Sequence, residues 1–313
     1  MFTYTGNGAY RYANSASMLL DAAGEKISTE TIEVLSGVGL GAIWFKEDNM
    51  IFFSSGVPHT GVSKALDILG FTVSKHSSTD RSQKNAEILT TAIIQHPVML
   101  GPLDMGYLSY LPNHRYLHGC DHYVLAFGVE DGMVRLHDPA GYPYAMLPME
   151  ELINASKTSQ LQYRLYPQDL TYHYWCAPQR VKHPSVQDIY VEAIRYFRQV
   201  YKDIEGQCSE RNWLSGSEAI EELKGYLLGG EPNPGLMGHL THFAFQVSAR
   251  RALGFGQFFQ QKNTDLAKIK LRQAEVFGRC HTLAVHGDWH TVGEVLSDLA
   301  ELEDKFQDSL FKS

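Results

Sequence analysis

Residues 122–139 read HYVLAFGVEDGMVRLHDP and carry the strongest structural signal in the chain. Apolar residues alternate with small or polar ones on both sides of Asp131-Gly132, a dipeptide that favours the primed turns of two-residue hairpins. The pattern therefore predicts an antiparallel hairpin whose first strand opens at His122 and whose second strand closes at Asp138, just before Pro139.

The two ends of this predicted hairpin place an imidazole and a carboxylate near each other. Because His122 lies farther from the turn than Asp138 does, a bulge or slip in the register is needed to bring the two side chains together. A carboxylate beside a histidine fixes its tautomer and raises its basicity, as a general base for a thiol or hydroxyl requires. The alternative is a strand-edge histidine beside a turn aspartate, which is a common surface feature.

The rest of the first half alternates short apolar runs with Gly, Pro and Asn, whereas the last third shows long helical periodicity. This contrast predicts an α+β domain at residues 1–175, a linker at 176–184 and an all-helical domain at 184–313. In the first domain we predict helices at 14–23, 60–69 and 82–95 and, besides the hairpin, strands at 71–75, 97–101 and 161–166. In the second domain we predict helices at 186–202, 217–228, 235–261, 265–286 and 291–311.

Composition excludes several classes of function. The 313 residues are 44% hydrophobic and 20% charged, so the chain can bury about two cores. A net charge of -8 argues against nucleic-acid binding. The four cysteines form no CxxC pair, which favours reduced thiols. Because no stretch approaches the about 20 apolar residues of a membrane span, we expect a soluble cytoplasmic protein without membrane contact.

We expect neither a metal nor a cofactor. His239 with His242, and His286 with His290, could each offer two ligands on one helix face, but neither pair has an evident third ligand. The glycine run at 37–41 lacks the Lys-Ser/Thr of a phosphate loop, and it favours either a substrate-channel loop or a tight packing turn.

Three motifs together resemble a known family. They are residues 6–20, where GNGAYRYANS leads into a small-residue helix containing Ser17-Met18-Leu19-Leu20, then His122-Tyr123-Val124-Leu125, and His137-Asp138-Pro139. They look like a papain-like cysteine-peptidase fold, as in the double-glycine bacteriocin-processing peptidases, and more specifically the butirosin biosynthesis protein H family. The glycine run at 37–41 and the helical tail also resemble that family, so the likeness covers most of the chain.

The resemblance implies roles for particular residues. His122 matches the general base and Asp138 the acid that orients it, while Asn7 lies where a side-chain oxyanion donor would sit. The nucleophilic cysteine has no counterpart, because its position, at the start of the small-residue helix, is taken by Arg11. A guanidinium neither loses its proton near neutral pH nor accepts an acyl group, so the covalent mechanism is missing from the chain as written.

Three explanations of Arg11 stay open: a natural pseudoenzyme, an inactive variant of a cysteine enzyme, or a nearby residue that acts instead. Ser15, Ser17 and Cys120 are candidates for the last, although the two serines suit packing in a buried helix, and Cys120 lacks the helix N-terminus that lowers a thiol pKa. We also expect Tyr10, Ser15, Gly39 and Cys120 to contact substrate. A cluster of aromatic residues lines an acyl groove or packs the core: Tyr107, Tyr110, Tyr116, Tyr142, Tyr144 and Trp175.

The expected chemistry is Cys–His–Asp acyl transfer or amide or thioester hydrolysis in natural-product or peptide metabolism, disabled in this chain at Arg11. The resemblance implies an acyl-carrier protein or a small-molecule or peptide acyl compound as partner, and a homodimer stays open. The alternative is a binding protein in which Arg11 holds a carboxylate or phosphate in the retained cleft. A helical scaffold without catalytic ancestry would instead leave His122 and Asp138 too far apart to hydrogen-bond.

Overall fold

The computed structural model describes residues 2–6, 8–54, 56–161, 170–230 and 232–313. The structure is α+β with antiparallel strand pairing, as predicted. The structure divides into two compact units. The first comprises Met1–Ile32 and Val57–Pro184, and the second comprises Glu33–Gly56 and Ser185–Ser313. Within the described residues, no helix combines the length and the apolar character needed to cross a bilayer.

The strands are β1 (Ile43–Phe45), β2 (Met50–Phe52), β3 (Phe71–Ser78), β4 (Val98–Asp104), β5 (Asp121–Glu130), β6 (Met133–Asp138), β7 (Tyr142–Pro148), β8 (Thr171–Arg180) and β9 (Leu214–Ser215). The helices are α1 (Arg11–Ala22), α2 (Thr29–Leu35), α3 (Pro58–Ile68), α4 (Gln83–Gln95), α5 (Met149–Ser156), α6 (Val186–Arg211), α7 (Gly216–Leu228), α8 (Pro234–His239), α9 (Phe245–Phe259), α10 (Thr264–Val285) and α11 (Trp289–Lys312). A π-helical turn, Leu240–Ala244, joins α8 to α9.

The first unit contains a sheet whose described strands run in the order β3-β8-β4-β5-β6-β7. The predicted hairpin is confirmed as β5–β6, with Glu130 opposite Met133 across a two-residue turn. Asp131 and Gly132 both have positive φ, 50° and 76°, as a type I′ turn requires. The register shifts between Ala126 and Gly128, so the expected bulge is present.

Helix α1 packs against the middle of this sheet, on β4 and β5. It begins at Arg11, three residues before the predicted start, and every residue from 12 to 20 is buried. Small side chains such as Ala13, Ala16 and Ser17 let the helix lie close to the strands beneath it. The N-terminal end of α1 is therefore held against the sheet.

One prediction for the first unit is wrong and one is untested. The segment 176–184 is not a linker throughout, because β8 extends to Arg180 and lies between β3 and β4. Pro178 is tolerated because the register with β3 skips it: Ser74 pairs with Cys176 and Thr72 with Gln179. The strand predicted at 161–166 lies outside the described residues apart from Leu161, which is not in a strand.

The second unit corrects both the domain boundary and the expectation of an all-helical domain. Residues 33–56 belong to this unit rather than to the first, and they supply β1 and β2. β1 pairs with β2 on one side and with β9 on the other, so it is the central strand of the small sheet. Trp44 of β1 is 1% exposed and shares an apolar core with residues of α7 and α9–α11.

The predicted helices of the second unit are present with shifted ends. The bounds of α7, α10 and α11 lie within two residues of prediction, and α6 continues past 202 to Arg211. The single helix predicted at 235–261 is divided by the π-helical turn Leu240–Ala244, which inserts an extra residue into the helical repeat.

Candidate active site

His122 and Asp138 form a buried pair in the first unit. Neither side chain is exposed to solvent, and the distance from His122 Nε2 to Asp138 Oδ1 is 2.7 Å. Leu125 of β5 pairs with His137 of β6, so His122 lies diagonally across the ladder from Asp138 on the same face of the sheet. This distance excludes the helical scaffold in which the two side chains would lie too far apart.

The Asp138 carboxylate is stabilised in its charged form. Among the described residues it accepts hydrogen bonds from His122, from the Ala140 backbone N–H (2.7 Å) and from the Tyr110 hydroxyl (2.8 Å). Burial raises the pKa of Asp138, but the attraction of His122 and these three donors outweigh burial and lower the pKa overall. Asp138 is therefore an acceptor at neutral pH.

This arrangement fixes the tautomer of His122. A carboxylate can only accept, so in the neutral imidazole Nε2 carries the proton and Nδ1 the lone pair. Nδ1 is buried and has no hydrogen-bond partner among the described residues. A buried imidazole nitrogen without a protein partner is in the position from which a general base acts on a nucleophile or a ligand.

Tyr110 is a site residue that sequence reasoning missed, since it was grouped only with the other aromatics. It lies in the loop between β4 and β5, and its hydroxyl donates to Asp138 Oδ2. Burial and the Asp138 charge raise the pKa of Tyr110 well above its ordinary value, so it stays a donor. The only sequence signal was that this loop leads directly into His122.

Arg11 occupies the N-terminal end of α1, where the resemblance places a cysteine. Tyr10 adopts a left-handed conformation (φ 55°) and turns the chain into the helix at Arg11. Arg11 Nη1 lies 3.5 Å from the carbonyl oxygen of Asp121, the residue before His122, and 3.9 Å from the sulfur of Met105. No carboxylate in the described part of the chain forms an ion pair with this guanidinium.

Cys120 lies close enough to Arg11 for the guanidinium charge to affect the pKa of its thiol, yet this thiol is not activated. Partial burial and the charges of Asp121 and Asp104 raise the pKa of Cys120, and the opposing effect of Arg11 is too small to reverse this. The structure therefore gives no support to Cys120 as a replacement nucleophile.

Alkylation of Cys120 by iodoacetamide is expected to be half-maximal at a pH above the ordinary thiol value of 9.0. The other cysteines are buried, so a Cys120→Ser variant should lose the rapid phase of labelling and serves as the control. The measurement is labelling rate against pH by intact mass. A midpoint below about 7 would show that Cys120 is activated after all.

Comparison with known proteins gives the relationship of the whole chain. A family model described as the YobF C-terminal domain matches residues 210–311. Over 312 residues, the chain is 38% identical to the "Uncharacterized protein YobF" of Bacillus subtilis (strain 168), with 100% of this chain and 99% of the relative aligned. The chain belongs to the YobF family. The name of the relative states no activity, so the chemistry of this YobF-family site rests on its own residues.

The remaining residues predicted to contact substrate are placed less favourably for such contact. Ser15 is fully buried one turn into α1, with no partner for its hydroxyl among the described residues, which supports the packing alternative. Tyr10 is 7% exposed and turns the backbone. Gly39 lies in the second unit, where a Cβ would come within 2.7 Å of Arg251 Cδ, so it is a packing glycine. Asn7 lies outside the described residues.

The histidine pairs considered as metal ligands lie in the second unit. His239 Nε2 donates to the Ile51 carbonyl oxygen at 2.8 Å, and burial lowers the pKa of this imidazole. His290 lies 3.8 Å from Glu294 on the surface of α11. Across the described ranges, no three His, Cys, Asp or Glu side chains are grouped as metal ligands.

Proposed function

We propose that this YobF-family chain binds a ligand bearing a carboxylate or an acyl group at Arg11, beside a His122–Asp138 pair of the type used in acyl transfer. The proposal includes no covalent step by the unaltered chain, because a guanidinium is not a nucleophile and the Cys120 thiol is not activated. In these terms the papain-like domain is a pseudoenzyme of the Cys–His–Asp acyltransferase and hydrolase class.

The observation that carries the proposal is the unpartnered Nδ1 of His122. A buried polar nitrogen without a hydrogen bond costs about 1–3 kcal/mol, and a site that binds a ligand can recover this cost. An amide N–H of the ligand would donate to this nitrogen in the neutral imidazole, and the protonated imidazole would donate from the same nitrogen to a carboxylate oxygen. The Tyr110–Asp138–His122 chain of hydrogen bonds holds the imidazole rigidly in position for that contact.

Arg11 supplies the charge that selects the ligand. It shares the start of α1 with the positive end of the helix dipole, and no carboxylate in the described residues neutralises it. The fork of guanidinium donors suits a carboxylate or phosphate oxygen pair. The ligand sources that we propose are an acyl-carrier protein and a small-molecule or peptide acyl compound, in a cytoplasmic setting.

The test is binding of matched acids and amides of the same chain length, such as hexanoate and hexanamide, measured by calorimetry or ligand-observed NMR. Arg11→Met should weaken hexanoate binding by about 10- to 100-fold, the loss of one charge-assisted contact, and should leave hexanamide binding nearly unchanged. Arg115→Met, which removes an exposed arginine from the loop between β4 and β5, is the matched control. No hexanoate binding to the unaltered chain, or an equal loss in both variants, would refute the role of Arg11.

A further inference from the structure

Residues 2–6 lie against the β5–β6 hairpin of the first unit, and we call them the strap. The Phe2 ring packs on Phe127 of β5, with the ring centroids 4.9 Å apart. The Tyr4 ring packs edge-on against His137 of β6, at 5.5 Å between centroids. Both side chains of the strap are only partly buried. The strap is therefore a surface segment, of the kind that opens more readily than the core of a domain.

The strap also contacts the turn that carries Asp138. The Tyr4 hydroxyl donates a hydrogen bond to the backbone carbonyl oxygen of Asp138, at 3.0 Å. Gly6 lies so close to the same turn that a Cβ on it would be 2.7 Å from the carbonyl oxygen of Pro139. Just beyond the strap, the Gly8 N–H donates to that Pro139 oxygen at 3.3 Å. These contacts join the Asp138 turn to the segment of chain that enters α1.

His137 connects the strap to the sheet through both of its ring nitrogens. The register of β6 with β7 shifts between Leu136 and Asp138, and there the Tyr144 N–H donates to His137 Nδ1 at 3.1 Å. Because Nδ1 accepts, Nε2 carries the proton of the neutral ring and donates to the Phe2 carbonyl oxygen at 3.3 Å. This pattern requires a neutral imidazole, since a protonated Nδ1 and the Tyr144 N–H would be two donors facing each other.

The surroundings of His137 also favour the neutral ring. Its side chain has no solvent exposure while the strap is closed. The titratable or charged groups that face the ring are Tyr4 of the strap, Tyr144 of β7 and, beyond the ring of Phe127, Arg135 of β6. None of these groups is a carboxylate, and the Asp138 carboxylate is turned toward His122 instead. Burial lowers the pKa of His137 in spite of its hydrogen bond to the strap.

We propose that the closed strap keeps the ligand site in its binding form and that protonation of His137 opens the strap. This regulation rests on the proposed function, because the site concerned is the one that binds the acid. Protonation breaks the Tyr144 bond and leaves a buried charge, and an open strap lets water reach the ring. Opening also removes the Tyr4 hydroxyl from the Asp138 carbonyl oxygen, so Tyr4 is a positioning residue for the Asp138 turn.

The test of opening is hydrogen exchange of the Tyr144 amide, measured by NMR on the full chain and corrected for the intrinsic effect of pH. Protection should fall about 10-fold from about pH 7.5 to about pH 5.5, because the open form takes up a proton below the ordinary imidazole value of 6.5. His137→Gln keeps an acceptor and a donor but does not titrate, so its protection should stay constant. His290→Gln, which removes an exposed histidine of α11, should keep the fall. No fall in the unaltered chain, or a fall that persists in folded His137→Gln, would overturn the proposal.

A second measurement tests the coupling of the strap to the ligand site. With hexanoate at about nine times its Kd, protection of the Tyr144 amide at neutral pH should rise about 10-fold, because the ligand binds only the closed form. Tyr4→Phe keeps the ring but lacks the hydroxyl bonded to Asp138, so its protection without ligand should be about 5-fold lower. Hexanoate that binds without raising the protection would overturn the coupling. A chain that binds no hexanoate would instead refute the proposed function, and the effect of pH on the strap would still be measured.

Discussion

In a Cys120→Ser background, the Arg11→Cys variant is expected to form a covalent acyl adduct with simple acyl thioesters, whereas the chain that keeps Arg11 forms none. A cysteine at this position would begin α1, where the helix dipole favours a thiolate, and His122 has a free nitrogen to receive the thiol proton. The thiolate attacks the thioester carbonyl carbon, the C–S bond of the thioester breaks, and the departing thiolate takes up the proton held by His122. Intact mass spectrometry measures the adduct.

The controls separate the contribution of each group. In the Arg11→Cys background, His122→Ala should slow acylation by about 100- to 10,000-fold, which is the usual contribution of general base catalysis to the rate. Arg11→Ala should give no adduct, and all variants should carry Cys120→Ser, so that the exposed native thiol cannot react. An Arg11→Cys variant that folds but is not acylated, or whose adduct is unaffected by His122→Ala, would refute the ancestry in acyl transfer.

Replacement of Asp138 by alanine is expected to lower the free energy of unfolding by about 3–5 kcal/mol at neutral pH. The change leaves three buried donors without an acceptor: His122 Nε2–H, the Ala140 N–H and the Tyr110 hydroxyl. Urea unfolding followed by tryptophan fluorescence gives the value. Tyr110→Phe removes one of the three donors and is expected to cost about 1 kcal/mol.

The cost of Asp138→Ala should depend on pH in a defined direction. Because the folded-state pKa of Asp138 is lowered, its contribution is present above the unfolded value of 3.8 and is lost as the pH falls through the folded value. The difference between the unaltered chain and the variant should therefore shrink below about pH 4. A difference that is constant from pH 7 to about pH 3 would mean that the carboxylate charge does not stabilise the fold.

Local sequence patterns predicted the hairpin and its polar ends because their cause is local. Asp131 and Gly132 accept positive φ, and that turn aligns β5 with β6 regardless of the rest of the chain. The proximity of His122 and Asp138 follows from this alignment and one bulge. Helix α1 was recognised for the same reason, through the periodicity of its small residues.

The features that sequence reasoning missed depend on partners distant in the chain. Residues 176–184 look like a linker because Pro178 and Pro184 interrupt them, and only the neighbouring β3 and β4 show that Pro178 lies at a bulge of β8. Tyr110 acquires its role from Asp138, 28 residues later.

The membership of residues 33–56 in the second unit has a consequence for synthesis on the ribosome. This segment emerges early, but β9 and the helices that bury Trp44 emerge last, after the first unit is complete. The free edge of β1 and the Trp44 indole therefore lack their partners through most of translation, and this exposure makes the nascent chain prone to aggregate. By the same reasoning, a fragment of residues 185–313 would lack two strands of its sheet and would be prone to aggregate.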